Sequence, residues 1–252
     1  MPKAKYQSLG AVHDVRDFLS RVLEKRGSPD DLWVFRGQFN AAWDPSPQID
    51  RVEFVAYRAQ VKIKWTRDHH ERWLLEEFKK GARPHALVQP QDQWEWLALA
   101  QHYGLATRLL DWTTNPLGAL YFAVERADVT TDSVVWCYHH RGPTAAPGSD
   151  PFQAAGITAY WPPHVTQRIT VQGGCFTAHA AANPKVAVTW PGDLLQVIVP
   201  GPERRRLRLE LGQIGITRST LFPDLDGIAV ATNRRASLDS PTQAVVKRPR
   251  GG

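Results

Sequence analysis

The sequence has little cysteine and no long apolar run. Its 252 residues include two cysteines, Cys137 and Cys175, which are too few for a disulfide framework and lack metal-ligand spacing. The first ten residues lack the apolar segment of a signal peptide, and no stretch of about 18 apolar residues could cross a bilayer. These absences argue against a disulfide-rich secreted fold or a membrane-spanning one. They predict a cytoplasmic protein with no membrane partner.

No internal repeat is visible, and the ten tryptophans are spread along the chain instead of clustering. A hydrophobic content of 42% is typical of a globular protein, and 252 residues are long for one domain but short for two. We therefore predict one domain over residues 1–232. The basic tail at residues 233–252 is predicted to be disordered.

The formal net charge of +6 favours an anionic partner, such as a nucleotide or a nucleic acid. Nine basic residues lie in residues 203–208 and in the last twenty residues, so the folded body is less basic than the total suggests. The arginine run at residues 204–206 fits a solvated charged surface, with nucleic-acid contact as the alternative.

Helical patterns dominate the first half of the chain and β-rich runs the second. Apolar spacing predicts helices over residues 11–24, over residues 52–80 with Gly81 as the C-cap, over residues 91–104, and from Pro116 onward. LWVFRG reads as a strand, and SVVWCYH, QRITVQG, KVAVTW and LLQVIVP as later strands. Residues 203–215 read as helical or strand-helical, and LFPDLDGIA as a loop entering a short helix. The order predicts an α+β fold whose helical N-terminal half packs on a mainly antiparallel sheet.

The segment HYGLATRLLDWTTNP, residues 102–116, is unusually rich in polar side chains. Arg108 and Asp111 are close enough in sequence to pair, and Asp111, Thr113 or Thr114 could cap the helix that starts at Pro116. A helix N-terminus can also bind a phosphate through its free N–H groups. The segment therefore fits either an anion site or a helix cap with an Arg–Asp brace.

The chain resembles the FRG domain, a prokaryotic family named for its F-R-G motif. The resemblance is carried by WVFRGQ, by IDR at residues 49–51 and by WEWLALAQHYGLATRLLDWTTNPLGALYFAVE. RITVQGGCFTAH and LGQIGITRSTLFPDLDG resemble the family's later motifs, so the match extends over residues 30–230. The family occurs in microbial conflict systems, which implies a toxin or anti-phage defence role and a protein partner such as an antitoxin or a defence-system subunit.

The motif order of this family is similar to that of ADP-ribosyltransferases, which implies a split β-sheet that binds NAD as a substrate. In that group a strand-borne arginine holds the NAD phosphates or ribose, a later polar strand packs on the nicotinamide side, and a late acidic or amide residue acts near the ribose. The resemblance thus implies Arg36, Asp111 and Gln172 as catalytic residues. The positions that it implies for contacts with NAD are Arg36, Gly37, Gln38, His102, Tyr103, Thr107, Arg108, Trp112, Thr113, Phe176 and Thr177.

One feature departs from the ADP-ribosyltransferase pattern, since the usual pair of acidic residues two positions apart is absent and Gln172 stands in its place. The chemistry remains consistent with such a site. Cleavage of the nicotinamide–ribose bond passes through an oxocarbenium-like transition state, which a carboxylate and a cationic grip on the pyrophosphate would stabilise. Nucleic acid is the acceptor that the basic segments favour.

Three alternatives stay open. Asp111, Asp224 and Asp226 could form a metal site for phosphodiester hydrolysis, or Asp224 and Asp226 could brace a turn. The chain could be a sensor that binds a nucleotide or nucleic acid without catalysis. Arg36 could be a buried brace on Asp111 or Asp226, with Gly37 only turning the chain instead of admitting a ligand.

Overall fold

The computed structural model describes residues 6–26, 32–51, 66–85, 89–126, 130–163, 173–181 and 189–239. These ranges contain seven strands and seven α-helices. The strands are β1 (Gln7–Ala11), β2 (Trp33–Gln38), β3 (Leu109–Thr113), β4 (Ser133–His140), β5 (Ile157–Tyr160), β6 (Gly174–His179) and β7 (Gly192–Val199). The helices are α1 (Val15–Arg26), α2 (Arg67–Ala82), α3 (Gln93–His102), α4 (Pro116–Val124), α5 (Arg204–Gln213), α6 (Arg218–Leu221) and α7 (Leu225–Asp239).

The seven strands form one open sheet in the order β1-β7-β4-β2-β3-β6-β5. β1 runs parallel to β7, and the other neighbouring strands are antiparallel. The α+β class and the mainly antiparallel sheet are therefore confirmed. The expectation of a helical N-terminal half was wrong in one respect, because α5, α6 and α7 follow the last strand. Residues 204–213 are helical since Leu207 and Leu211, four positions apart, both enter the core.

The sheet is nearly interrupted between β2 and β3. These strands pair at a single register position, Phe35 opposite Thr113, whereas β2 pairs with β4 along its whole length from Trp33 to Gln38. On the other side, β3 pairs with β6 along all of Leu109–Thr113. The sheet thus consists of two well-paired parts joined at one position.

The core helices lie on one face of this sheet, in two groups. One hydrophobic cluster joins α1, α4 and α5 to β2, β4 and β7 through residues such as Phe18, Phe35 and Leu207. A second cluster joins α2 and α3 to β3, β5 and β6, with Leu75 and Trp94 fully buried. Phe35 and Thr113 face each other in register, so the two clusters share a face, and the β2–β3 junction lies between them.

Several element bounds differ from the sequence-based predictions. Residues 7–11 form an edge strand, so α1 begins at Val15 and not at residue 11. Gly81 lies inside α2, because the ladder continues until the N–H of Arg83 reaches the carbonyl of Lys79. Residues 233–239, which we predicted to belong to a disordered tail, complete α7. The run QRITVQG lies almost entirely outside the described residues, as does most of KVAVTW.

None of the helices in the described residues is long and apolar enough to cross a bilayer.

Candidate functional site

A cleft of about 370 Å³ opens at the β2–β3 junction and is lined by residues from both faces of the sheet. Residues of α3 form one wall, and Phe122 of α4 contributes to the other. Its volume is in the range of small-molecule sites. The residues that line it are Phe35, Arg36, Gly37, Gln101, His102, Asp111, Trp112, Thr113, Phe122, Gly174, Cys175 and Phe176.

Arg36 bridges the open junction. Side chains alternate along a strand, so Arg36 projects to the face opposite Phe35, and Asp111 shares the face of Thr113 and Phe35. Even so, Nη1 of Arg36 donates to the backbone carbonyl of Asp111 at 2.9 Å and lies 3.6 Å from its Oδ2. The guanidinium reaches β3 because the two strands are unpaired there.

The charge of Arg36 is only partly compensated. Its side chain is 19% exposed, and its buried Nε has no hydrogen-bond partner among the described residues. Burial lowers the pKa of Arg36; the nearby Asp111 opposes that effect, and the positive charge of Arg51 adds to it. A desolvated guanidinium with spare donors favours the approach of an anion.

Asp111 is the carboxylate of the cleft. Its side chain is 53% exposed, although its neighbours Leu110 and Trp112 are buried on the other face of β3. Oδ2 of Asp111 accepts a hydrogen bond of 2.9 Å from Nε2 of Gln101. The cleft therefore places a half-exposed carboxylate beside the guanidinium of Arg36.

Gly37 lines the cleft, but close helix packing explains why it is a glycine. A Cβ built on Gly37 would lie 2.0 Å from the carbonyl oxygen of Ala119 and 2.6 Å from the amide nitrogen of Ala123. The backbone of α4 thus occupies the space that a side chain would need. This contact brings α4 close enough to β2 to form a wall of the cleft.

Arg108 lies away from the cleft in a buried ion-pair network. Its side chain is 1% exposed and donates to Glu71, to Asp68 and to the carbonyl of Pro151, and it stacks on Phe152. Burial raises the pKa of Glu71, while the ion pair with Arg108 opposes this rise. The predicted brace between Arg108 and Asp111 was wrong, since its carboxylate partners lie on α2, far upstream in sequence.

Trp112, Thr177 and His179 form a buried chain on the opposite face of the sheet. The indole Nε1 of Trp112 donates to Oγ1 of Thr177 at 2.9 Å, and that oxygen lies 2.9 Å from Nε2 of His179. Since Thr177 accepts from Trp112, its own proton is available for a neutral His179. Burial lowers the pKa of His179 to about 3, and the charges of Arg67 and Arg36 contribute.

His179 should make the fold sensitive to acid. In the folded state the pKa of His179 is about 3, below its ordinary value of about 6.5 in the unfolded chain. The unfolded chain therefore binds a proton on this imidazole more readily, and the free energy of unfolding decreases as pH drops below about 6.5. The expected loss is about 2 kcal/mol between pH 7 and pH 5. Urea unfolding of the wild type and of His179→Gln at both pH values measures it. An equal loss in both proteins would contradict the assignment, because the other titrating groups are common to both.

The remaining predicted positions divide between the cleft and the interior. His102 and Phe176 line the cleft, and Tyr103, at 70% exposure, follows His102 at the end of α3. Thr107 is fully buried, and Gln38 is buried with its Nε2 directed at the carbonyl of Trp43. Gln172 lies outside the described residues, immediately before Gly173 and the cleft residue Gly174.

The cap of α4 is Asn115, which we did not predict. Its Oδ1 accepts from the N–H groups of Leu117 and Gly118, and Oγ1 of Thr113 accepts from the N–H of Asn115. Pro116 occupies the first turn of this helix, as predicted. With its amides capped in this way, the start of α4 resembles an ordinary helix end more than an anion site.

The side chain of Asp226, one of the three proposed metal ligands, lies outside the described residues. Oδ1 of Asp224 accepts from the N–H of Gly227 at the start of α7, and Asp111 lies in the cleft. No group of three or more His, Cys, Asp or Glu residues that could hold a metal ion occurs among the described residues. Cys175 is buried, and burial raises its pKa to about 12, so it behaves as a small apolar residue.

Sequence reasoning missed Gln101 and Phe122 as cleft residues and gave no role to Arg51. Gln101 is a half-buried amide at the end of an otherwise apolar helix, directly before the polar segment, and this position was the available signal. Arg51 follows a 3₁₀-helix that is anchored by buried Ile49 and by an ion pair of 2.7 Å between Asp50 and Arg67. The roles of Phe122 and Arg51 could be assigned only from the folded structure.

Comparison with models of protein families matches residues 31–132 to the FRG domain. This range begins just before β2 and contains α2, α3, β3 and α4, and with them most of the residues that line the cleft. No curated protein and no solved structure matches the chain.

Proposed function

Because the chain carries an FRG domain at residues 31–132, we propose that it binds NAD in the cleft of this domain and transfers ADP-ribose to a macromolecule. We take nucleic acid as the acceptor, on the basis of the net charge of +6. A toxin or an anti-phage defence system is the proposed setting, as the family resemblance implies. The partners would then be NAD, the acceptor, and an antitoxin or a defence-system subunit.

The observation that carries this proposal is the pairing of opposite charges across the open junction. Arg36 and Asp111 come from strands that meet at one register position, and both side chains line the same cleft. A dinucleotide needs a cationic group for its pyrophosphate and a carboxylate near its reacting ribose. Arg36 and Asp111 offer these two groups at opposite sides of the gap.

In the proposed reaction the bond between the ribose C1′ and the nicotinamide nitrogen breaks, and its electron pair leaves with nicotinamide. Positive charge develops on the ribose, where the carboxylate of Asp111 stabilises it. A nucleophilic atom of the acceptor then bonds to C1′ and loses its proton to solvent or to a base of the acceptor complex. The overall change exchanges nicotinamide for the acceptor and requires no oxidant or reductant.

Arg51 supplies a second positive charge to the anion site. Its side chain is exposed, its Nε donates weakly to the carbonyl of Pro47 at 3.4 Å, and its charge lowers the pKa of Arg36. Two guanidinium groups that repel each other gain stability when an anion binds between them. We assign the pyrophosphate to this pair, with Arg36 as the bidentate donor.

The proposal is tested by incubating the purified chain with NAD labelled on its adenylate portion, together with RNA, DNA or cell extract. Transfer of the label to a macromolecule and release of nicotinamide are the expected results. If there is no transfer, no NAD hydrolysis and no detectable NAD binding, the proposal is wrong. Strong nuclease activity that is indifferent to NAD and abolished by a chelator would instead support the metal alternative.

Arg36→Lys should retain the fold and lose NAD affinity by about tenfold or more, because an ammonium group cannot make a bidentate contact with phosphate oxygens. Isothermal titration calorimetry with NAD measures the change. The matched control is Arg205→Lys on the exposed side of α5, which should bind NAD as the wild type does. Unchanged affinity in Arg36→Lys would show that Arg36 is a brace between the strands and not a ligand contact.

A further inference from the structure

Gln101 links the buried polar interior to the carboxylate of the cleft. The N–H of Leu109 donates to Oγ1 of Thr107 at 3.1 Å, and that hydroxyl donates to Oε1 of Gln101 at 2.7 Å. Nε2 of Gln101 then donates to Oδ2 of Asp111 at 2.9 Å. The path is continuous and runs from the backbone of β3 through α3 and back to β3.

Donor and acceptor roles along this path permit one orientation of the amide. An ionised carboxylate only accepts hydrogen bonds, so the NH₂ group of Gln101 must face Asp111. Thr107 uses one lone pair to accept from the N–H of Leu109, which leaves its proton for Oε1 of Gln101. Thr107 is fully buried, and its hydroxyl therefore fixes the amide from the interior.

The result is an asymmetric carboxylate. Oδ2 of Asp111 is held by Gln101 and lies 3.6 Å from Nη1 of Arg36, whereas no described residue donates a hydrogen bond to Oδ1. The side chain is 53% exposed and lines the cleft, so Oδ1 has access to a ligand. A carboxylate held at one oxygen loses less rotational freedom when its other oxygen meets a developing charge.

We propose that Gln101 is a positioning residue, which holds Asp111 through Oδ2 so that Oδ1 is presented to the ribose of the bound dinucleotide. The effect of Gln101 on catalysis rests on the proposed function. The orientation of Asp111 by Gln101, in contrast, is a property of the unliganded protein. The two can therefore be measured separately.

Gln101→Glu is the sharpest test because it changes one atom type and keeps the shape. It replaces the donor at 2.9 Å from Oδ2 with a carboxylate oxygen, and two carboxylates so close titrate as a coupled pair with one apparent pKa raised. Other charged or titratable groups around this site are Arg36 from β2, His102 from α3 and Cys175 from β6. The titration is therefore followed on the aspartate and glutamate carboxyl carbons by ¹³C NMR.

The expected NMR result is that one carboxyl of the coupled pair in Gln101→Glu, either Asp111 or the introduced side chain, titrates about one pH unit or more above the ordinary carboxyl range. For NAD cleavage, kcat should fall by about tenfold or more at neutral pH, because the introduced carboxylate repels Asp111 where the amide held it, while KM for NAD stays within about threefold. Gln93→Glu adds the same charge at the first position of the same helix and should alter neither readout. Thr107→Ser retains the hydroxyl and should retain kcat, whereas Thr107→Val should lower it.

If neither carboxyl of the pair shifts in Gln101→Glu, the positioning role is overturned, whether or not NAD is the substrate. A shifted titration in a protein that neither binds nor cleaves NAD would support the orientation of Asp111 and sink the proposed function instead. A rise in KM with unchanged kcat would make Gln101 a binding contact and also overturn the positioning role.

Discussion

Replacing Arg108 with methionine is expected to lower the free energy of unfolding by about 3–5 kcal/mol, since it leaves a buried carboxylate without its cation. Arg108 is 1% exposed and pairs with Glu71, which is equally buried, through contacts of 2.9 Å. Methionine keeps much of the apolar stem but neutralises none of the charge on Glu71. Urea unfolding at pH 7 measures the loss.

Arg72→Met provides the matched control for this experiment. Arg72 also stacks on the ring of Phe152, at 4.0 Å, but its side chain is 47% exposed and its ion pair with Asp150 is at the surface. Its replacement should cost less than about 1 kcal/mol. If both variants lose the same stability, the ion pair with Glu71 is not what makes Arg108 important. A soluble Arg108→Met protein that binds NAD normally would agree with the position of Arg108 outside the cleft.

Gly37→Ala is expected to destabilise the protein by about 3 kcal/mol, at the upper end of the usual cost of overpacking. The added Cβ would lie 2.0 Å from the carbonyl oxygen of Ala119, and this backbone atom cannot turn away as a flexible side chain could. α4 would have to move away from β2, and the cleft wall that contains Phe122 would move with it. Thermal and urea unfolding measure the stability, and NAD titration of the folded fraction measures the effect on the site.

Gly212→Ala on α5 is the matched control, because a Cβ at that position meets no atom within 4 Å. It should be neutral or stabilise the protein by about 0.5–1 kcal/mol, as alanine is the better helix former. A stable Gly37→Ala protein with normal unfolding but weakened NAD binding would contradict the packing explanation. It would restore the interpretation in which Gly37 admits a ligand.

Local patterns predicted much of the fold. The periodicity of residues 91–104, Pro116 and the β-rich runs SVVWCYH and LLQVIVP each correspond to an element at nearly the expected place. Edge strand β1 and strand β5 were missed because each has at most five residues and little alternation. The end of α2 was missed because Gly81 was predicted to be its C-cap, whereas the helical hydrogen bonds continue past this glycine.

Local sequence likewise predicted only part of the candidate site. The motifs VFRGQ and TRLLDWT marked Arg36 and Asp111 from composition and resemblance, because an arginine and a carboxylate on apolar strands are unusual wherever they occur. Their local sequence also suggested that Arg108 would pair with Asp111, and this was wrong because Glu71 and Asp68 approach Arg108 from α2.

Residue types and periodicities are short-range properties, and they were sufficient to predict the α+β class and most of the elements. The chemistry of Arg36 and Asp111 stays a prediction from the family resemblance. These short-range properties did not predict which distant segments contact each other. The opening between β2 and β3, the helix contact that requires Gly37 and the amide of Gln101 on Asp111 each join segments far apart in sequence. Such contacts depend on how the elements pack together, so the cleft became visible only in the folded chain.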